Sequence, residues 1–581
     1  MTDIHPFDLQ ARAEMAVSAL TGLLDPERQG LMYFLANWRA RPPRADHGLW
    51  DCGDGSGRHV DALTLARAMV RRGSPAALSG QADAQLERWM LRLIGPEGLS
   101  WLPAEPWAEP WGRDVLLAGY RPGELYAEVS WAQRGTLMGL TTRYLRTGDE
   151  QYLDVARRLV DGLQRVAVEH PDGLYFPEGY YGQSGWGREA PGLYPGLEEY
   201  NAVIVQPAVR LYEACGYEPA LELAEKVFRF ALKHTATYLP DGSFRRVTPG
   251  QPEAAHFHTH TCFAAGALKL GLALGRREYV AWAWQTYEHA KTWGTDFGWF
   301  PEGLGARHGE ICATTDMIEL ALLLGQHVDR RYYADAERFG RNHLLQSQWL
   351  SLDRLQKALD RLPPDPEPAP WHGRFSTTER VAERQVGGFA SRPTLNDAFH
   401  LDATGLMQCC NAAGTRALYD LWRYALEVKR ASGSERPEVS VHLRFSVEDP
   451  LIRVVSHEPG EGRLCVCTRE DCVIAVRLPE GAPGAVLVSA GRVQAVRAVD
   501  GYVRFVLSAG QTADLYYPLC ERTAWYEVGA GHKRLQCAAR WRGEAVIGVE
   551  PSGTFYPLYE AVAEVGAAEP GPPAGPMVAS L

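Results

Sequence analysis

Along most of the chain the apolar positions recur with the period of a helix. Leu418, Leu421, Trp422, Ala425 and Leu426 fall at i, i+3, i+4, i+7 and i+8 and make one apolar face. Between Gly148-Asp149 and Gly162 the same spacing joins Tyr152, Ala156, Leu159 and Val160, with Leu153 widening the stripe. From about residue 10 to 430 such segments alternate with loops rich in Gly, Pro and aromatic residues. A loose unit of polar or aromatic loop, apolar helix, short turn and charged second helix recurs. It starts at His59-Val60-Asp61, Ser130-Trp131-Ala132, Glu198-Glu199-Tyr200, His258-Thr259-His260, Glu310-Ile311-Cys312 and Cys409-Cys410-Asn411. Six such hairpins predict a closed ring of inner and outer helices, an (α/α)6 barrel. The turn Thr147-Gly148-Asp149 has no copy at the other hairpins, so the units are structural echoes and not duplicated sequence.

From about residue 437 the period changes to two. Val439, Val441, Leu443, Phe445 and Val447 alternate with polar residues, and Val473 to Leu478 and Tyr502 to Leu507 are further strands, which predicts a C-terminal β-sandwich. The proline-rich run Leu362 to Pro370 cannot be helical and reads as a loop within the helical body. These boundaries give a helical domain over 1–432, a β-domain over 433–566 and a disordered tail over 567–581.

A net charge of −11 with no basic block excludes a nucleic-acid surface and a polybasic membrane contact. No apolar run of ~18 residues is present to span a bilayer, and the N-terminus shows no charged region followed by an apolar core. Eleven scattered cysteines suit a reducing compartment, so the expectation is a cytoplasmic protein, with a homodimer left open. The 17 Trp and 25 Tyr, many beside Gly and Pro, suit stacking on sugar rings as well as an ordinary large core. Cys465, Cys467 and Cys472 read as buried apolar residues of the strand region.

The candidate chemistry lies in Gly309-Glu310-Ile311-Cys312 and Met407-Gln408-Cys409-Cys410-Asn411. Adjacent cysteines do not readily bond to each other. On a regular helix Glu310 and Cys312 point to nearly opposite sides, and Cys409 and Cys410 stand ~100° apart. Both pairs converge on one ion only at helix entrances, where the backbone is not yet regular and the helix end favours thiolate and carboxylate. Three thiolates and a carboxylate suit Zn2+ in type and number. Unrelated buried thiols are the alternative, and residue chemistry alone leaves it open.

Together the two motifs, with Arg416-Ala417-Leu418-Tyr419 after the second, resemble glycoside hydrolase family 127, the β-L-arabinofuranosidase family. Gly123-Glu124-Leu125-Tyr126 and Tyr144 to Asp149 resemble its second hairpin, and the strands from about 440 to 560 its sandwich. The resemblance implies a retaining glycoside hydrolase acting on a small carbohydrate, furanosidic or otherwise unusual. Cys409 would be the nucleophile, with Glu310, Cys312, Cys409 and Cys410 holding zinc. The upstream acid/base glutamate aligns with Glu302 in Phe300-Pro301-Glu302-Gly303, an echo of Phe176-Pro177-Glu178-Gly179, with Asp296 second. Its neighbours Trp299 and Phe300 are expected to raise its pKa. A substrate-binding histidine aligns with His260 ahead of His258, while Ser130 and Leu197 stand where two other family histidines are expected. Trp131 and Trp299, with Trp50 and Trp186, are the candidate stacking platforms. The rival readings are a sugar epimerase or polysaccharide lyase on the same barrel, and a carbohydrate-binding protein with a structural zinc.

Overall fold

The computed structural model describes residues 5–562 apart from 72, 75, 77–79, 105–123, 178–179, 188, 190–200, 236, 245–255, 304–305, 367–374, 431–435, 483, 530–533 and 561. The tail expected over 567–581, the start of the third hairpin at Glu198 to Tyr200, Leu197, Glu178 and the prolines beyond Pro366 lie outside those residues.

The helical body comprises α1 (Leu9–Gly22), α2 (Asp54–Met69), α3 (Gln81–Arg92), α4 (Trp131–Thr147), α5 (Glu150–Val166), α6 (Val205–Cys215), α7 (Glu218–His234), α8 (Phe257–Leu274), α9 (Arg277–Lys291), α10 (Ile311–His327), α11 (Tyr332–Phe339), α12 (Leu352–Arg361) and α13 (Gln408–Ala425). Helix α2 packs on α4, α4 on α6, α6 on α8, α8 on α10, α10 on α13, and α13 back on α2, closing a cycle. The next helix of each pair, α3, α5, α7, α9 or α11, lies on the outside of its partner, and α1 covers α13 and α2. The apolar patterns explain the two roles. Helix α10 is buried continuously from Ile311 to Ile318, as an inner helix must be, whereas α5 buries only one stripe, including Tyr152, Leu153, Ala156, Leu159 and Val160. Asp149 caps α5, accepting the Gln151 N–H at 2.9 Å.

After α13 the chain is β-rich. One sheet has the order 426–429, 438–441, 472–477, 502–507, and a six-stranded sheet has the order 447–448, 452–456, 463–468, 512–516, 484–489, 492–497. Their inward residues, among them Val441, Ile474, Val503, Val454, Val466 and Leu515, join one apolar cluster continuous with the helices. A third sheet (521–528, 535–542, 545–550) packs instead into a second cluster with Trp38, Phe297, Trp299 and Trp349 of the helical body.

The alternating run from Val439 to Val447 is not one strand. It divides into Glu438–Val441 and Val447–Glu448, which belong to different sheets. Between them the Arg444 side chain turns into a fully buried ion network and the ladder is given up. Arg444 Nε reaches Glu458 Oε1 at 3.0 Å and its Nη1 reaches Glu337 Oε2 at 3.2 Å. Arg341 pairs with Glu458 at 2.7 Å, and Arg477 with Glu337 and Arg444 with Glu544 complete the network. These partners come from α11 and the turn after it and from the β-rich region, so the network ties the two together. Cys472 is buried as expected, but Cys465 and Cys467 occupy the half-exposed face of their strand, opposite Leu464, Val466 and Thr468. Among the described residues no helix is long and apolar enough to cross a membrane.

Candidate active site

Two helix entrances about a hundred residues apart in sequence are joined by the segment Ser391 to Pro393. The Gly309 N–H donates to the Pro393 carbonyl at 2.7 Å and the Ile311 N–H to the Ser391 carbonyl at 3.1 Å. Ser391 Oγ accepts the Met407 N–H at 2.7 Å and donates back to the Met407 carbonyl at 3.1 Å. Gly309 permits the close approach: a Cβ there would lie 2.8 Å from both the Phe300 carbonyl oxygen and Trp299 Nε1. Glu310 and Met407, the residues just before α10 and α13, are both extended (φ −140°, ψ 131° and φ −111°, ψ 130°). Cys312, Cys409 and Cys410 sit in the first turns, as convergence at helix entrances requires.

The three sulfurs lie within 4.8 Å of one another. Cys312 and Cys410 are 3.6 Å apart, Cys409 and Cys410 are 4.0 Å apart, and Glu310 Oε1 is 4.0 Å from Cys410 Sγ. A tetrahedral ion with metal–sulfur bonds of about 2.3 Å separates its sulfurs by about 3.8 Å. The three thiols therefore fit such an ion in both chemistry and spacing, while Glu310 is close to Cys410 and stands outside the group of mutually close ligand atoms. Cys409 is held well below the usual thiol range by its side-chain hydrogen bonding with Cys312 and Cys410, with Arg58 adding to the effect against the opposing burial. Cys410 is pushed well above it by its side-chain hydrogen bonding with Cys312 and Cys409 and by burial. A cation bound among the three sulfurs would favour their thiolate forms. Arg58 Nη2 donates to Cys312 Sγ at 3.5 Å, and His256 Nε2 bonds Glu310 Oε2 at 2.8 Å.

Glu302 reaches the same mouth. Its segment is bridged to both neighbouring helix entrances, His256 pairing with Gly303 and Pro301 with Gly309. Its carboxyl is not raised. Burial pushes it up, but the hydrogen bond to His308 and the charge of Arg392 outweigh burial and hold it at about 2. Arg392 binds Oε1 through Nε (2.8 Å) and Nη2 (2.5 Å), while His308 binds Oε2. The apolar neighbour expected to raise it, Trp299, is fully buried in the second core, its indole N–H donating to the Pro393 carbonyl at 3.3 Å. Trp299 thus offers no face to a sugar. Asp296 is not at the mouth: it is half exposed, accepts from Tyr526 Oη and lies 3.6 Å from Arg522, against the third sheet.

The two histidines of α8 diverge. His258 Nδ1 bonds Asp316 Oδ2 at 2.6 Å and its ring stacks on Trp131, with centroids 5.2 Å apart. His260 turns the other way, stacked on Phe244 at 4.7 Å with Nδ1 3.4 Å from Tyr238 Oη. Burial lowers both to about 3, so both rings are neutral at pH 7. Trp131 is half buried at the mouth. Trp186 donates to the Val166 carbonyl at 2.7 Å, in the small sheet beyond α5. Ser130 donates through both its N–H and its hydroxyl to Glu128, a carboxylate that also accepts the Ala132 N–H at 2.6 Å and is pushed by burial to about 7. Asp316 is likewise pushed by burial to about 7.

Sequence reasoning missed Arg58, Arg134, His256, His308 and Arg392. A signal for the first two was present: each is an arginine one turn into an otherwise buried inner helix, and such a charge needs a reason to be there.

The chain is similar in structure to a family 127 β-L-arabinofuranosidase from Geobacillus stearothermophilus T6, at 16% identity and a TM-score of 0.51 over 86% of this chain and 77% of that one. A second family 127 β-arabinofuranosidase gives 14% identity and 0.54 over 92% and 79%. A third, described as a glycoside hydrolase, gives 12% and 0.51 over 90% and 85%. The likeness is one of fold. No family model and no curated protein matches the chain.

Proposed function

We propose that the protein is a retaining glycoside hydrolase of the family 127 type, an (α/α)6 barrel followed by a β-sandwich, with zinc held by Glu310, Cys312, Cys409 and Cys410. The observation that carries this reading is the convergence of three thiols at two helix entrances, with sulfur spacings suited to one tetrahedral ion and the Glu310 carboxylate 4.0 Å from Cys410. Bound zinc keeps the thiols deprotonated at neutral pH. Cys409, the half-buried member, attacks the anomeric carbon as thiolate; a C–S bond forms as the bond to the leaving oxygen breaks. Glu302 delivers the proton to that oxygen, then takes one from the water that displaces sulfur with a second inversion. Arg392 and His308 hold Glu302 ionised in the free protein, so acting as the acid requires it first to take up a proton. The substrate is a small, furanosidic carbohydrate such as a β-L-arabinofuranoside, and the expected location is cytoplasmic.

One observation favours a second reading, a carbohydrate-binding protein with a structural zinc: Glu302 is in its ionised form, with Oε1 held by two Arg392 nitrogens and Oε2 by His308, not poised as an acid. A panel of aryl and natural glycosides, with β-L-arabinofuranosides included, assayed on protein of measured zinc content separates the two. Cleavage by zinc-loaded protein that is lost on chelation supports the hydrolase; binding without product supports the alternative.

A further inference from the structure

Among the described residues a second group of metal-binding side chains forms just after the outer helix α5. His170, Asp172 and His234 each offer one ligand atom, and the three atoms lie within 4.8 Å of one another. None of the three belongs to the candidate active site. Two come from a tight hairpin: Val168–His170 and Gly173–Tyr175 pair antiparallel with His170 opposite Gly173, so Pro171 and Asp172 make the turn, and the fixed φ of proline suits its first position. The third is the last residue of α7. Glycine lets hairpin and helix meet, since Gly173 has a φ of 150° and a Cβ there would lie 2.0 Å from the Lys226 carbonyl oxygen of α7. One aromatic ring orients both imidazoles. Phe230, one turn before His234, stacks on His234 with centroids 4.5 Å apart and meets His170 edge-on at 5.1 Å, while Tyr175 of the hairpin stacks on Phe230 at 4.6 Å.

The hydrogen bonds show which atoms carry lone pairs. A backbone N–H can only donate, so His170 Nδ1, which accepts the Asp172 N–H at 3.2 Å, holds no proton. It stands 3.6 Å from Asp172 Oδ2, another acceptor. Two acceptors side by side repel unless a cation lies between them. Oδ2 is also 2.7 Å from His234 Nε2, while Lys233 holds the other carboxylate oxygen, Oδ1, at 2.5 Å. Oδ2 is therefore the atom shared by both imidazoles. A tetrahedral ion with bonds of about 2.0–2.1 Å to nitrogen and oxygen holds its donors about 3.3 Å apart, and the separations of 2.7 and 3.6 Å bracket that value. On binding, the metal replaces the His234–Asp172 hydrogen bond and the long one to His170 Nδ1, and His234 carries its proton on Nδ1 instead. The three side chains are 35%, 24% and 33% exposed, so an ion enters directly from solution and water completes its coordination.

We infer that His170, Asp172 and His234 form a second metal site, independent of the thiol group, in which Zn2+ or another imidazole-binding divalent ion such as Ni2+ or Cu2+ pins the hairpin to the end of α7. The test titrates the full chain with Zn2+ by calorimetry and follows its melting temperature. The parent is expected to bind an equivalent of zinc that His170→Gln and His234→Gln each weaken at least tenfold, and to show a zinc-dependent rise in melting temperature that both variants reduce. Cys410→Ser, which disturbs the thiol group, is expected to keep that equivalent. Should a histidine variant fail to fold, Asp172→Asn, which preserves the size of the turn residue, is read the same way. Equal zinc stoichiometry and affinity in the parent and the folded variants overturn the site, as does a parent whose every bound zinc is lost in Cys410→Ser.

Discussion

Two regions of this molecule bury many charges, and they do so differently. Where the helices meet the β-rich region, Arg341, Arg444 and Arg477 face Glu337, Glu458 and Glu544, and every one of these groups has an opposite partner in contact. At the mouth, Arg134 has two nitrogens without partners and Asp54 and His258 one atom each, beside three thiols that share protons. A closed network of charges holds two parts of a structure together. The difference lies in the pairing of charge and not in stray hydrogen-bonding atoms, since Glu337, Arg477 and Glu544 at the junction each also carry a buried atom without a hydrogen bond.

The largest effect expected from that contrast is at the thiols. Cys409→Ala is predicted to lower turnover on the order of 10³-fold or more while circular dichroism stays that of the parent; parental activity would remove Cys409 as nucleophile. At the junction the sign of the phenotype reverses. Arg444→Met leaves Glu337, Glu458 and Glu544 short of a partner and should cost about 3–5 kcal/mol in denaturant unfolding, with activity per folded molecule unchanged. A stability loss at the mouth and an activity loss at the junction would overturn the comparison.

A smaller effect is expected of Arg392→Gln, which removes the charge that helps to hold Glu302 down. The Glu302 pKa then rises, and the alkaline limb of the kcat/KM profile, where the acid loses its proton, should move upward by about one unit. The accompanying linkage has a definite sign. Glu302 is depressed in the folded chain from 4.5 to about 2, so its contribution to stability is present above 4.5 and lost as the pH falls through about 2. In the variant that loss should occur at higher pH in an acid titration. The smallest effect belongs to a residue in neither region: Asp149→Ala removes the cap of α5 and should cost about 1 kcal/mol without touching kinetics.

Much of this was legible in the sequence because it depends on local pattern. The stripe of α5, the helix after the double cysteine and the strand from Tyr502 to Leu507 follow from period alone. The meeting of Glu310 and Cys312 with Cys409 and Cys410 was legible because both pairs needed a helix entrance to be chemically sensible. What could not be read was whatever depends on where a side chain finds its partner. Trp299 and Asp296 flank one turn, yet one is sealed in a core and the other leans on a distant sheet. His258 and His260 are two positions apart on α8 and therefore face different surroundings. The expected rise of Glu302 failed because the hydrogen bond to His308 and the charge of Arg392, ninety residues away, together outweigh burial.

The central claim is that a cysteine thiolate attacks the sugar and water then replaces it. The most direct test is proton NMR of the first product formed from a cleaved glycoside, recorded before mutarotation. Two displacements at one carbon predict the substrate's own anomeric configuration in that product; the inverted anomer would contradict a thioglycosyl intermediate on Cys409.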